Sequence, residues 1–172
     1  SKMFQENDLD GRILIVDDGS TDDTEAVAAQ FGAQVVKHLD NRGYGHALRT
    51  GIMYATTENL AICDADGTYP VDRIPDLLEE LERGYDLVIG ARTGKSFRGS
   101  LAKYIFRNIF RMMCQSASGT KIPDANSGLR VFRRSAIEPN LNMMCGGFSF
   151  TTSQTLCFFL LSRSVKFMPI DY

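Results

Sequence analysis

The fold follows from one stretch of the sequence, Leu60-Ala61-Ile62-Cys63-Asp64-Ala65-Asp66-Gly67-Thr68. Its apolar residues predict a buried strand, which ends in two carboxylates and a turn-forming glycine. In an open α/β sheet, ligands bind beyond the carboxyl ends of the strands. Asp64 and Asp66 lie on the same side of an extended backbone, so both are placed to face one hard divalent cation. Alternatively, one aspartate holds the ion and the other a sugar hydroxyl, or the residues form an ordinary solvated turn.

Strand and helix patterns alternate on both sides of this stretch. Strands are predicted over residues 13–16, 34–38, 59–63, 87–89, 129–134 and 165–170. Helices are predicted over residues 25–31, 46–56, 72–83, 100–116 and 152–161. Short strands that alternate with helices are typical of a parallel sheet that helices cover. We therefore expect an α/β fold with a mostly parallel sheet, helices on both faces and one domain over residues 1–172.

The composition excludes several classes of protein. With 44% hydrophobic and 23% charged residues, the chain is not expected to be disordered. Its longest apolar stretch, residues 156–161, is far shorter than the about 20 residues of a membrane-spanning helix. The four cysteines form no C-x-x-C pair, so we expect no thiolate metal site and a reducing compartment.

Charge is divided unevenly along the chain. Residues 1–90 contain seven Lys and Arg against eighteen Asp and Glu, whereas residues 91–172 contain twelve against three. Such asymmetry indicates an anionic partner for the second half, namely nucleic acid, an anionic membrane surface or a phosphorylated substrate. Alternatively, the two halves pack against each other with complementary charge. The predicted helix over residues 100–116 carries Lys103, Arg107 and Arg111 on one stripe, which is typical of an interfacial helix or of a core-packed helix with a solvated basic stripe.

Four motifs occur in a defined order along the chain. They are Asp17-Asp18-Gly19-Ser20, Asn41-Arg42-Gly43-Tyr44-Gly45, Asp64-Ala65-Asp66 and Asp124-Ala125-Asn126-Ser127-Gly128-Leu129-Arg130. Together they resemble glycosyltransferase family 2, in particular its polyprenyl-phosphate branch, which includes dolichyl-phosphate mannose synthase. The resemblance covers residues 13–172 and implies a GT-A fold, which is Rossmann-like, and a nucleoside diphosphate sugar as the donor.

The resemblance also implies roles for individual residues. Asp64 and Asp66 would hold Mg²⁺ or Mn²⁺ against the diphosphate, and Asp66 and Arg130 would be the catalytic residues. Arg130 would contact a phosphate through both guanidinium arms, although an arginine in a strand also suits a structural ion pair. The nucleotide-sugar site would comprise Asp17, Asp18, Asn41, Gly43, Asp64, Arg92 and Arg130, with Arg133 and Arg134 as further phosphate-binding candidates.

The acceptor is suggested by an absence from the sequence. Between Arg130 and Ile170, Glu138 is the only acidic residue, and it belongs to no recognised motif. A phosphate monoester with a second pKa of about 6 is already nucleophilic near neutral pH, so it needs no general base. We therefore expect a lipid phosphate acceptor, specifically a polyprenyl phosphate, and an enzyme peripheral to the cytoplasmic face of a membrane. Nucleic acid is not expected as a partner.

Family members begin with an I-P-x-x-N-E strand and turn, which residues 1–11 do not match. We therefore expect a fragment that lacks the first strand of the sheet. Two alternatives to a working transferase stay open. The Asp64-Ala65-Asp66-Gly67-Thr68 stretch also fits haloacid-dehalogenase-like phosphatases, with Asp64 as nucleophile and Asp66 as general acid and base. The other alternative is an inactive nucleotide-sugar-binding domain.

Overall fold

The computed structural model describes residues 2–93, 112, 114–116 and 119–172. Within them the strands are β1 Leu14–Asp17, β2 Gln34–Lys37, β3 Asn59–Ile62, β4 Leu87–Thr93, β5 Arg130–Arg133 and β6 Val165–Asp171. The helices are α1 Lys2–Glu6, α2 Thr24–Gln30, α3 Tyr44–Tyr54, α4 Ile74–Glu82, α5 Arg134–Ile137 and α6 Phe150–Leu160, with 3₁₀ helices at Val71–Arg73 and Glu138–Met143. The basic stripe of the predicted helix over residues 100–116 lies outside the described residues.

The strands form two sheets. In the smaller sheet β1 pairs with β2 in parallel, and in the larger one the order is β3-β5-β4-β6. Strand β5 is antiparallel to both of its neighbours, whereas β4 and β6 are parallel, so three of the four strands share one direction. The structure thus confirms a mostly parallel α/β fold. Among the described strands, none joins β1 to β3, so the sheet is split in two.

The antiparallel strand β5 brings distant motifs together. Its first residue, Arg130, pairs with Ile62 of β3 on one side and Ile89 of β4 on the other. Since β5 runs against β3, the residues just before Arg130 lie beside the residues just after Ile62. The D-x-x-S-G-x-R segment therefore reaches the same sheet edge as the D-x-D turn.

Helices cover both faces of the larger sheet, because alternate strand residues point to opposite sides. On one face, Leu87 and Ile89 of β4 pack with Phe158 of α6 and other buried residues. On the other face, Val88 packs with Leu77 and Leu81 of α4. Among the described residues, no helix is both long and apolar enough to cross a membrane.

Candidate active site

Three of the four motifs meet at the Asp64 carboxylate. The Tyr44 hydroxyl, at the start of α3, donates a hydrogen bond of 2.9 Å to Asp64 Oδ1. Asp64 Oδ2 lies against Gly128 so closely that a Cβ atom at position 128 would overlap it. Only glycine fits there without moving the carboxylate. The structure thus brings together the glycine-rich loop, the D-x-D turn and the segment before β5.

Two tyrosines support this centre. Burial, followed by the negative charge of Asp64, raises the pKa of Tyr44, so its hydroxyl stays protonated and able to donate. Tyr69 is buried, and its hydroxyl accepts the backbone N–H of Gly128 at 2.8 Å. Burial is also the main reason that the pKa of Tyr69 is raised. Tyr69 was not predicted from the sequence, since a lone tyrosine after a turn carries no motif.

Asp66 lies in an exposed turn beside this centre. Its Oδ1 accepts the Thr68 backbone N–H at 3.0 Å and the Thr68 hydroxyl at 2.7 Å. These two hydrogen bonds lower the pKa of Asp66, so the carboxylate is ionised at neutral pH. Thr68 thus keeps Asp66 charged while leaving the side chain open to solvent.

The oxygen atoms of Asp64 and Asp66 are of the kind that binds a hard divalent cation. Asp64 and Asp66 offer carboxylate oxygens, and an oxygen that accepts one hydrogen bond keeps a second lone pair for a metal. Among the described residues, no group of three or more His, Cys, Asp or Glu side chains forms a metal cage. Mg²⁺ commonly binds through one or two carboxylates and takes its other ligands from water and substrate phosphates. The two aspartates match that mode of binding and not an all-protein site.

Arg130 lies in the interior with no exposed surface. Its guanidinium donates to the carbonyl oxygens of Ser127, Thr151 and Ala125 and to the side chains of Gln154 and Thr155. Burial lowers the pKa of Arg130 to about 10, so the group is still charged near neutral pH. The structure therefore differs from the prediction of a phosphate contact: all three guanidinium nitrogens already donate to protein oxygens. The alternative prediction, a structural ion pair, also differs from what is seen, because the partners of Arg130 are carbonyl, amide and hydroxyl groups and not a carboxylate.

Arg92 likewise forms hydrogen bonds within the protein, in this case with Asp124. Its Nε and Nη2 donate to the two carboxylate oxygens of Asp124 at 2.7 and 3.0 Å, and its backbone N–H donates to the same side chain at 3.2 Å. Burial alone would lower the pKa of Arg92, but the hydrogen bond and the charge of Asp124 raise it overall. The guanidinium also lies over the Tyr172 ring, 5.3 Å from its centroid. In this arrangement Arg92 anchors the segment that begins at Asp124, and its assignment to the nucleotide-sugar site stays a prediction.

Asp18 binds the glycine-rich loop. Its carboxylate accepts the backbone N–H groups of Arg42 and Gly43 at 2.9 and 2.7 Å, and it also contacts His38 Nδ1 at 2.6 Å. Burial would raise the pKa of Asp18, but these hydrogen bonds outweigh it and the pKa is lowered. The Asp18 carboxylate and the Gly43 N–H thus bind each other in this structure, and their assignment to the nucleotide-sugar site stays a prediction.

The remaining predicted residues have diverse surroundings. Asp17 is buried, and its Oδ1 accepts the Ser20 backbone N–H at 2.8 Å. Asn41 is exposed at the start of the glycine-rich loop. Arg133 donates to the Leu81 carbonyl at 2.9 Å, and Arg134 pairs with Glu138 at 3.7 Å. Neither arginine thus joins the Asp64 centre in this structure.

His38 is a connecting residue that the sequence did not reveal. It is buried at the end of β2, where Nδ1 contacts Asp18 and Nε2 contacts the Thr50 hydroxyl at 2.8 Å. The imidazole therefore links β1, β2 and α3. A single histidine after a strand gives no sign of this role in the sequence.

Comparison with protein families gives one match over most of the chain. The family model described as glycosyl transferase family 2 matches residues 4–141. The undecaprenyl-phosphate 4-deoxy-4-formamido-L-arabinose transferase of Klebsiella pneumoniae is 38% identical over 140 residues, which cover 76% of this chain and 41% of that protein. The low-salt glycan biosynthesis hexosyltransferase of Haloferax volcanii is 30% identical over 164 residues, which cover 92% of this chain and 39% of that protein. The chain therefore spans about two-fifths of the length of these relatives.

Solved structures resemble the fold at low sequence identity. Glucosyl-3-phosphoglycerate synthase of Mycobacterium tuberculosis, in complex with phosphoglyceric acid, has a TM-score of 0.74 and 20% identity, covering 95% of this chain and 60% of that chain. The same enzyme with Mn²⁺ and UDP-glucose has a TM-score of 0.70 and 21% identity, covering 95% and 59%. At this identity the likeness supports the GT-A-like fold alone. The family match, by contrast, favours a glycosyltransferase over the haloacid-dehalogenase-like phosphatase.

Proposed function

The chain belongs to glycosyl transferase family 2, and from that premise we propose that it transfers a sugar from a nucleoside diphosphate sugar to a polyprenyl phosphate. In this proposal Asp64 and Asp66 bind the donor diphosphate through Mg²⁺ or Mn²⁺. The membrane face is proposed to be the cytoplasmic one, with the enzyme peripheral to it. The basic excess of residues 91–172 supports contact with an anionic lipid surface.

One observation carries the proposal: three family motifs converge on the Asp64 carboxylate. Tyr44 contacts one of its oxygens, and Gly128 leaves space for the other. Because the D-x-D turn follows β3 at a carboxyl end of the sheet, this carboxylate faces the region where α/β folds bind ligands. Such an arrangement supports a role for Asp64 as an oriented cation ligand and not as part of an ordinary solvated turn.

The divalent ion, when bound, would neutralise the charge that builds on the leaving nucleotide. The protein's own contribution is orientation and charge. Thr68 keeps Asp66 ionised, Tyr44 orients Asp64, and Gly128 allows the backbone to approach. One of the two solved structures holds Mn²⁺ and UDP-glucose, so we propose Mn²⁺ and UDP as first probes for this chain.

A lipid phosphate is proposed as the acceptor for two reasons. The Klebsiella relative is named for transfer to undecaprenyl phosphate. In addition, Glu138, the only acidic residue between Arg130 and Ile170, pairs with Arg134 and is not placed at the Asp64 centre. A phosphate dianion needs positioning and no proton removal near neutral pH, which suits a site without a carboxylate base.

The test begins with donor binding. We expect UDP together with Mn²⁺ to raise the melting temperature of the protein, and we expect Asp64→Asn to abolish that increase because it removes the charged ligand. Asp72→Asn is the matched control, since Asp72 is an exposed aspartate shortly after the D-x-D turn. A shift that survives Asp64→Asn would contradict the proposed site.

A transfer assay then tests the reaction. Radiolabelled sugar from a nucleoside diphosphate donor should move to polyprenyl phosphate in detergent. Transfer to a soluble hydroxyl acceptor but never to polyprenyl phosphate would overturn the acceptor assignment. Metal-dependent UDP binding without any transfer would favour the inactive nucleotide-sugar-binding domain.

A further inference from the structure

We infer that Tyr44 is a positioning residue, whose hydroxyl fixes the Asp64 carboxylate for metal and donor binding while residues 144–148 hold its ring. The inference rests on the proposed function, because it assigns Asp64 to the donor site. Tyr44 itself lies within the glycine-rich loop motif, directly after Gly43, whose φ of +93° favours glycine. That turn directs the first residue of α3 towards the D-x-D turn.

The first step is the constraint on the carboxylate. A free aspartate rotates about its last bond, so its two oxygens exchange places easily. Here the Tyr44 hydroxyl contacts Oδ1 at 2.9 Å, while the whole carboxylate, with Oδ2 nearest, occupies the space that a Cβ atom at position 128 would take. The hydrogen bond and the packing over Gly128 together define one orientation. A ligand that is already oriented loses less freedom when it binds.

The second step is the support of the tyrosine ring. The Phe148 ring packs on Tyr44 with centroids 5.8 Å apart and an angle of 42° between the planes. The backbone of residues 145–147 lies so close to Gly45 that any side chain at position 45 would overlap it. Arg49 of α3 also donates to the Met144 carbonyl. Residues 144–148 therefore dock on the first turns of α3 and hold the Tyr44 ring from one side.

The exposure of Phe148 indicates that its packing on Tyr44 does more than fill space in the core. Phe148 is 79% exposed, so its ring contributes little to the buried core. It nevertheless sits on a residue that contacts a proposed metal ligand. If Tyr44 merely filled space, removing its hydroxyl would leave ligand binding unchanged. If Tyr44 positions Asp64, the loss must appear in binding and must depend on the Asp64 carboxylate.

Tyr44→Phe separates these cases, because it deletes the hydroxyl and keeps the ring on Phe148. The matched control is Tyr54→Phe at the opposite end of α3, where Tyr54 is 55% exposed. Mn²⁺ affinity is measured by electron paramagnetic resonance in the presence of UDP. We expect Tyr44→Phe to weaken it by about tenfold, as is typical when a partner of a metal ligand is removed, and Tyr54→Phe to leave it unchanged.

A double-mutant cycle completes the test. Tyr44→Phe, Asp64→Asn and the double variant are compared with the parent in urea unfolding without metal or UDP, because Asp64→Asn is itself expected to abolish Mn²⁺ binding. The expected result is coupling: once Asp64 is changed, Tyr44→Phe has no further effect. Unchanged Mn²⁺ affinity in Tyr44→Phe, or additive effects in the cycle, would overturn the inference. If the parent binds no Mn²⁺ with UDP, the proposed function fails, and coupling or additivity in the unfolding data alone decides whether Tyr44 positions Asp64.

Discussion

Arg130 shows how burial decides the role of a charged side chain. The motif that contains it suggested a phosphate contact, yet the guanidinium has no exposed surface and donates to carbonyl oxygens of the segment before β5 and of α6. A planar group with five N–H donors suits several acceptors at fixed angles, which lysine cannot match. Arg130 therefore stabilises the segment that carries Gly128, and through Gly128 the position of Asp64.

Arg130→Lys should destabilise the protein by about 2–4 kcal/mol, because it leaves buried carbonyl groups without donors. The free energy of unfolding is measured with urea and circular dichroism. Arg163→Lys serves as the control, since the Arg163 side chain is 43% exposed, and it should change stability by less than about 0.5 kcal/mol. If Arg130→Lys unfolds like the parent but no longer binds UDP, the result would support the predicted phosphate contact instead.

At the scale of elements, Asp18 joins the end of β1 to the loop before α3. Its carboxylate accepts two successive backbone N–H groups, at Arg42 and Gly43, and contacts His38 after β2. A carboxylate beside the first turn of a helix also interacts favourably with the helix dipole. The glycine-rich loop thus depends on a charge that lies 25 residues earlier in the chain.

The pH dependence of this connection can be predicted. The pKa of Asp18 is lowered in the folded protein from its ordinary value of 3.8. Its stabilisation is therefore fully present above that value and is lost as the pH falls through the folded-state pKa. Asp18→Asn should cost about 2 kcal/mol at pH 7, and the difference from the parent should shrink as the pH falls below 4.

Urea unfolding between pH 7 and pH 3 checks this expectation. Asp23→Asn is a suitable control, because Asp23 is exposed and its side chain makes no capping hydrogen bond to α2. A difference between parent and Asp18→Asn that stays constant over the whole range would show that the charge of Asp18 is not responsible.

At the scale of the whole molecule, two apolar clusters share the same central strands. Strands β4 and β5 each contribute to both, with Leu87 and Phe132 on one face and Val88 and Val131 on the other. Loss of packing on one face therefore removes support from the strands that the other face needs. We expect the two clusters to unfold as one cooperative unit.

Leu77→Ala and Phe158→Ala test this expectation from opposite faces of the sheet. Both residues are almost fully buried, so each substitution should cost about 2–5 kcal/mol. Each variant should retain a single unfolding transition by circular dichroism, which needs no tryptophan. Leu160→Ala is the control, because Leu160 is 69% exposed. Two separate transitions in either core variant would contradict a shared core.

Much of the architecture was predictable from local pattern. Each of the six described strands overlaps its predicted range, because short apolar runs bounded by glycine and aspartate have few alternatives. The helix after the glycine-rich loop begins at Tyr44, two residues before its predicted start, since Gly43 supplies the break. The antiparallel direction of β5 was not predictable, because strand direction depends on how the intervening chain returns to the sheet.

The amino-acid sequence alone determined which chemical groups the site contains and in what order they occur. The carboxylates of the D-x-D turn and the glycine of the S-G segment follow from residue type and spacing. The tertiary structure decided which of these groups bind other parts of the protein. It turned Arg130, Arg92 and Asp18 toward the protein and made Tyr44 a partner of Asp64. The physical reason is that burial and hydrogen bonding depend on residues far apart in the chain, which local spacing does not record.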